Sequence, residues 1–201
     1  WLAELPGNLG GSLKSQGALR DEQLQAGASL DIAGRLRGQN TSLQLQANGE
    51  GERWDLPVID LRMGDNRVHG SGTWAQTLDG RLQLELSRLA QLWPDLRGRV
   101  NGEVTLAGTA AAPSGQLELS GRNLAYQDNR LRRLNVQGQL SDGERGRLAL
   151  DAERIRAGET DLGALRINAQ GTAERHQAEL QLQGPLLDLA LAFDGGLRGE
   201  D

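Results

Sequence analysis

The sequence predicts an all-β protein of consecutive antiparallel strands, and three observations carry that expectation. Apolar residues recur at every second position over short runs, and glycine closes most of those runs. Between the runs there is no stretch of roughly ten to fifteen residues with the spacing of a crossover helix. Side chains alternate across a strand, so each run puts its apolar residues on one face and Gln, Glu, Arg, Ser or Asn on the other. A parallel sheet would need long crossover connections, so the short glycine-closed links favour antiparallel neighbours.

Along the chain the alternating runs begin with Leu30 and Ile32; Leu43 and Leu45; Ile59, Leu61 and Met63; and Leu82, Leu84 and Leu86. They continue with Val104 and Leu106; Leu117 and Leu119; Leu134, Val136 and Leu140; and Leu148 and Leu150. Leu165 and Ile167, Leu180 and Leu182, and Leu189, Leu191 and Phe193 complete the series. Gly64-Asp65-Asn66 separates two runs as a hairpin turn would. In "LSRLAQLWPDLRG", Leu86, Leu89, Leu92 and Trp93 have helical spacing until Pro94 stops it, which predicts one short helix near 86–93. Pro6–Gly11 ("PGNLGG") and Ala110–Ser114 ("AAAPS") read as loops. No shift in composition marks a boundary, so residues 1–201 are expected to form a single unit.

Hydrophobic residues make up 37% of the chain and aromatics 3%, so leucine must supply most of the buried surface. A sheet with a leucine face can hide it in a barrel, in a sandwich about 10 Å thick, or in a trough that leaves it open to a guest. A membrane barrel needs aromatic girdles, which four Trp, one Tyr and one Phe cannot supply. The 22 basic and 27 acidic residues are interspersed and sum to −5, so no basic stripe for nucleic acid is expected. With no cysteine, the chain has neither a disulfide framework nor thiolate metal ligands. No apolar run approaches the ~20 residues of a spanning helix. The chain opens at Trp1 without methionine, and it is expected to be a segment of a longer protein whose anchor lies elsewhere.

Chemistry-bearing residues are sparse. His69 and His176 are far apart, with Asp65 a weak local partner, and both are expected to be ordinary residues of the polar face. "HGSG" at 69–72 lacks the strand-turn-helix setting of a nucleophile elbow. Asp142 and Glu144 sit in the turn-like "SDGERG", and "RLRR" at 130–133 reads as a solvated edge that could meet anionic headgroups. Trp54, Trp74 and Trp93 are either rim anchors or large fillers. No catalytic residue, metal site or cofactor is expected, and no enzymatic activity.

The phrases "WPDLRG", "GEVTLAGTAAAPSGQLELSGRNLAY", "LRRLNVQGQL" and "GTAERHQAELQLQG" resemble the C-terminal repeat region of the TamB family, within the AsmA-like superfamily. The resemblance runs from about Leu56 onward. It implies an elongated, curled antiparallel sheet, the β-taco, with a hydrophobic inner groove. It also implies a periplasmic location, an inner-membrane anchor outside this sequence, phospholipid as cargo and a TamA-like outer-membrane barrel as partner. Under that expectation the alternate apolar positions named above, from Leu30 to Phe193, line a lipid-accessible groove. The competing expectation is a scaffold or chaperone that adds a client strand of an outer-membrane protein to an exposed sheet edge.

Overall fold

A computed structural model describes residues 6–20 and 23–196. Thirteen strands form one antiparallel sheet whose spatial order equals their chain order. The first five are β1 (Gly7–Arg20), β2 (Gln23–Leu36), β3 (Gln39–Glu50), β4 (Arg53–Met63) and β5 (Asn66–Trp74). Next come β6 (Leu78–Leu86), β7 (Leu96–Gly108), β8 (Pro113–Tyr126) and β9 (Asn129–Ser141). The last four are β10 (Arg145–Ala157), β11 (Thr160–Gly171), β12 (His176–Gln183) and β13 (Asp188–Gly195). β1 and β13 are the two edges, so the elongated, curled sheet does not close on itself.

Hairpin turns explain the meander. At Arg37-Gly38 both turn residues have positive φ (55° and 76°), the handedness that matches the twist of the flanking strands, and in the three-residue turn after β9 Asp142 and Gly143 do likewise (54° and 70°). Gly64 (φ 59°) opens the expected turn before β5. Ala110–Ala112 stays irregular before β8 starts at Pro113.

Two sequence expectations need correcting. "PGNLGG" is not a loop, because β1 begins at Gly7. A Cβ at Gly11 would stand 2.7 Å from the Asp31 carbonyl oxygen and one at Gly7 2.7 Å from that of Arg35, so these two glycines let β1 approach β2 closely. The helix near 86–93 shrinks to one 3-10 turn, Leu89–Gln91, because Leu86 still belongs to β6 and Pro94 follows closely.

Among the described residues the sheet has no second layer. Among the described residues the buried hydrophobic side chains are Leu78, Leu89 and Ala152, and each strand packs chiefly on its neighbours in the order. A sandwich or filled barrel would bury most of its leucines, so both are set aside.

Candidate functional site: an uncovered leucine face

Directly paired residues of antiparallel strands lie on the same face, so the register can be followed across the whole sheet. One rung runs Leu13, Leu30, Leu45, Ile59, Gly70, Leu82 and Val104. It continues through Leu117, Gly138, Leu148, Ala169, Ala178 and Phe193. A second rung joins Ile32, Leu43, Leu61, Val68, Leu84 and Gly102 to Leu119, Val136, Leu150, Ile167, Leu180 and Leu191. On one side of these rungs lie Leu165, Leu182 and Leu189, and on the other Leu106 and Leu140, across from Gly115. Every apolar position expected to line the groove therefore shares one face. Twelve inter-strand steps of about 4.8 Å make that face roughly 60 Å long.

Glycines alternate with the leucines on this face and let them lie flat. Leu119 covers Gly102, Leu82 covers Gly70, and Trp54 lies over Gly49. Most rung leucines are consequently half-buried by their neighbours, yet none of the described residues covers them from above. Leu61, Leu106 and Leu148 remain about two-fifths exposed (42%, 41% and 40%), and Phe193 is 51% exposed.

Aromatic residues mark both rims. Trp54 pairs directly with Trp74, and Trp74 with the buried Leu78, where β4 begins and β5 ends. At the opposite rim the Arg37 guanidinium sits 5.0 Å from the Trp93 ring centre. This fits rim anchors better than core fillers, since all three tryptophans are exposed. The segment carrying Trp93 is tied down by Asn66, which is 3% exposed. Asn66 Nδ2 donates to the Met63 and Arg88 carbonyls and to Gln91 Oε1, while its Oδ1 accepts from the Arg88 N–H. Gln91 and Arg88 both bind Asp65 Oδ2.

On the hydrophilic face, charges pair across strands. Asp60 receives two-pronged hydrogen bonds from Arg67 (3.0 and 2.8 Å) and from Arg62 (3.2 and 3.0 Å). The Arg67 bonds, followed by those of Arg62, hold its carboxyl well below the ordinary 3.8. A depressed folded-state value contributes stability above the unfolded value that is lost as pH falls through the folded one. The urea midpoint should therefore decline below pH 3.8, and the gap between the parent chain and Asp60→Asn should narrow over the same window. A gap independent of pH would remove the ionised Asp60 from the stability account.

His69 lies on this face between Asp60 and Gln83, with its buried Nδ1 unpartnered. His176 departs from expectation: it falls in register with Gly171 and Gly195 on the leucine face, at the rim where β12 begins. The alternation His176, Ala178, Leu180, Leu182 requires this, and only the missing Cβ of Gly195 admits the ring. Asp142 and Glu144 are exposed in their turn, as expected. A hollow of about 630 Å³ lies on the hydrophilic face, lined by Gln116, Gln139, Arg147, Gln170 and Gln177. A wide twisted sheet is saddle-shaped, so either face can be hollow along one diagonal.

A family model described as "TamB, N-terminal domain" matches residues 1–201. The chain is 27% identical over 196 residues to the translocation and assembly module subunit TamB of Haemophilus influenzae. That alignment covers 95% of this chain and 15% of the relative, so the chain spans less than a sixth of that protein's length. No solved structure matches. The matching model is the N-terminal domain, whereas the strand phrases resemble the C-terminal repeats. A phrase such as L-x-L-x-G can recur anywhere along a repetitive sheet and does not fix position within it.

Proposed function

The chain belongs to the TamB family, and on that premise we propose that it is a periplasmic segment whose leucine face shields phospholipid acyl chains between the inner and outer membranes. The full-length protein would be anchored in the inner membrane and work with a TamA-like outer-membrane barrel in envelope assembly. The relative's printed name, a translocation and assembly module subunit, supports the assembly role.

One observation carries the lipid reading: an apolar face crosses thirteen strands, and among the described residues no second layer lies upon it. Water contact with so much hydrocarbon is unfavourable, and each methylene laid against it is withdrawn from water at about 0.8 kcal/mol. A run of leucine, isoleucine, valine and glycine offers similar contacts at successive rungs, so a chain can shift along it without leaving a specific pocket. The reading assigns the segment no bond-making step, and hence no enzymatic role. Organic extraction and native mass spectrometry of the purified protein should recover bound phospholipid. Protein free of lipid after exposure to phospholipid vesicles would overturn the reading.

Among the described residues the outer edges of β1 and β13 are unpaired, which favours a second reading, client-strand addition. Prolines placed along both β1 and β13 should then abolish strand addition and spare lipid retention. Client binding that survives such prolines would remove the scaffold reading.

A further inference from the structure

Some arginines of the hydrophilic face have carboxylate partners: Arg67 with Asp60 (2.8 Å), Arg81 with Glu103 (3.1 Å) and Arg166 with Asp151 (2.8 Å). One row instead sets arginines against each other across three strands. Arg99 of β7 stands directly opposite Arg122 of β8, and Arg122 directly opposite Arg133 of β9. They sit two residues from the rung Asn101, Ser120, Asn135, and so share its hydrophilic face. Arg133 reaches Glu153 at 3.1 Å, but Arg99 and Arg122 make no ion pair or side-chain hydrogen bond among the described residues.

Like charges placed directly opposite one another destabilise a sheet. The chain as a whole is acidic, at −5, so this row is not the local face of a basic protein. Toward the strand ends Arg97, Arg130 and Arg156 add to it, with Arg130 opposite Arg156. β9 is an inner strand, so the "RLRR" segment is not the solvated sheet edge expected from its sequence. The ladder is interrupted on the neighbouring strands at Gly98 (φ 106°), Asn123 (φ 51°) and Arg154 (φ 56°). Bulges of this kind re-aim side chains, and here three surround one charge cluster.

We propose that the Arg99, Arg122 and Arg133 row binds the phosphate of anionic lipid headgroups. Guanidinium groups one strand spacing apart present successive forks to phosphate oxygens, and a phosphate supplies the counter-charge that the sequence omits. The row lies near the strand ends that form the rim bearing Trp93 and Tyr126, where the headgroup of a lipid on the leucine face would emerge. The choice of lipid-borne over free phosphate rests on the acyl-chain reading above.

Co-sedimentation with vesicles tests the proposal, comparing phosphatidylcholine alone with equal parts phosphatidylglycerol and phosphatidylcholine. The protein should bind the anionic vesicles preferentially, and less so at high salt. The pair Arg99→Gln and Arg122→Gln together should weaken that binding about twenty-five-fold, taking roughly fivefold per arginine. The charge-matched pair Arg145→Gln and Arg175→Gln, at the opposite rim, should leave it unchanged, with circular dichroism confirming that both variants are folded. Equal losses in the two pairs, or equal binding to neutral vesicles, would overturn the proposal. Phosphate binding seen by titration with inorganic pyrophosphate but without vesicle preference would assign the row to free phosphate and also overturn it. If the arginine variants still extract lipid, the leucine-face reading stands whatever becomes of the row.

Discussion

Leu150→Asp is expected to cut phospholipid retention by about a hundredfold while leaving a folded sheet. Leu150 lies in its rung between Val136 and Ile167, so an acyl chain following that rung passes over it. A carboxylate held in hydrocarbon costs about 2.5–3.5 kcal/mol, which converts to a factor of roughly one hundred. Folding is affected far less. Without lipid the new carboxylate meets water, and the loss is limited to side-chain contacts with the rung neighbours, on the order of 1–2 kcal/mol. Had Leu150 been capped by a second sheet, the same substitution would bury an unpaired charge and unfold the chain. Native mass spectrometry reports the lipid and a urea titration the fold. Undiminished lipid binding in a folded Leu150→Asp protein would remove the leucine face from the transport role, and global unfolding would show that something covers it.

Much of the architecture could be read before any coordinates, because period-two alternation determines faces without long-range information. The eleven named runs fall within strands, and their apolar residues share one side. β5 escaped notice because its face-defining positions are Val68, Gly70, Gly72 and Trp74, where two glycines replace the usual leucines. The signal was present in the spacing but not in the hydrophobicity. β1 was hidden likewise by the glycines of "PGNLGG". His176 reads as a polar-face residue by its chemistry, but its parity with Ala178, Leu180 and Leu182 puts it on the leucine face. The arginine row and the Asn66 hub lay beyond local pattern altogether. Arg99, Arg122 and Arg133 come together only through register, which depends on turn lengths and on bulges at Gly98 and Asn123 that composition does not encode.

Asn66→Ala should cost the most stability of any single polar substitution on this sheet, roughly 3 kcal/mol or more, with the loss centred on the rim bearing Trp93. Asn66 satisfies four groups at once, and alanine leaves the Arg88 N–H and the Met63 and Arg88 carbonyls without their side-chain partner in a site closed to water. Each orphaned buried group costs about 1–3 kcal/mol, and members of a network fail together. Asp is no rescue, although it matches the shape. It keeps an acceptor for the Arg88 N–H but sets a carboxylate against two carbonyl oxygens and Gln91 Oε1, so Asn66→Asp should be at least as damaging near neutral pH. Acid should partly restore it, because the protonated carboxyl regains one donor. Urea unfolding of both variants at neutral and acidic pH checks this ordering, and hydrogen exchange should show the 87–95 segment released from the β4–β5 turn. If Asn66→Ala were neutral, that segment would be held by Leu89, the Arg37–Trp93 stack and the Gln91 and Arg88 contacts with Asp65, and the rim at which headgroups are proposed to emerge would not depend on the buried amide.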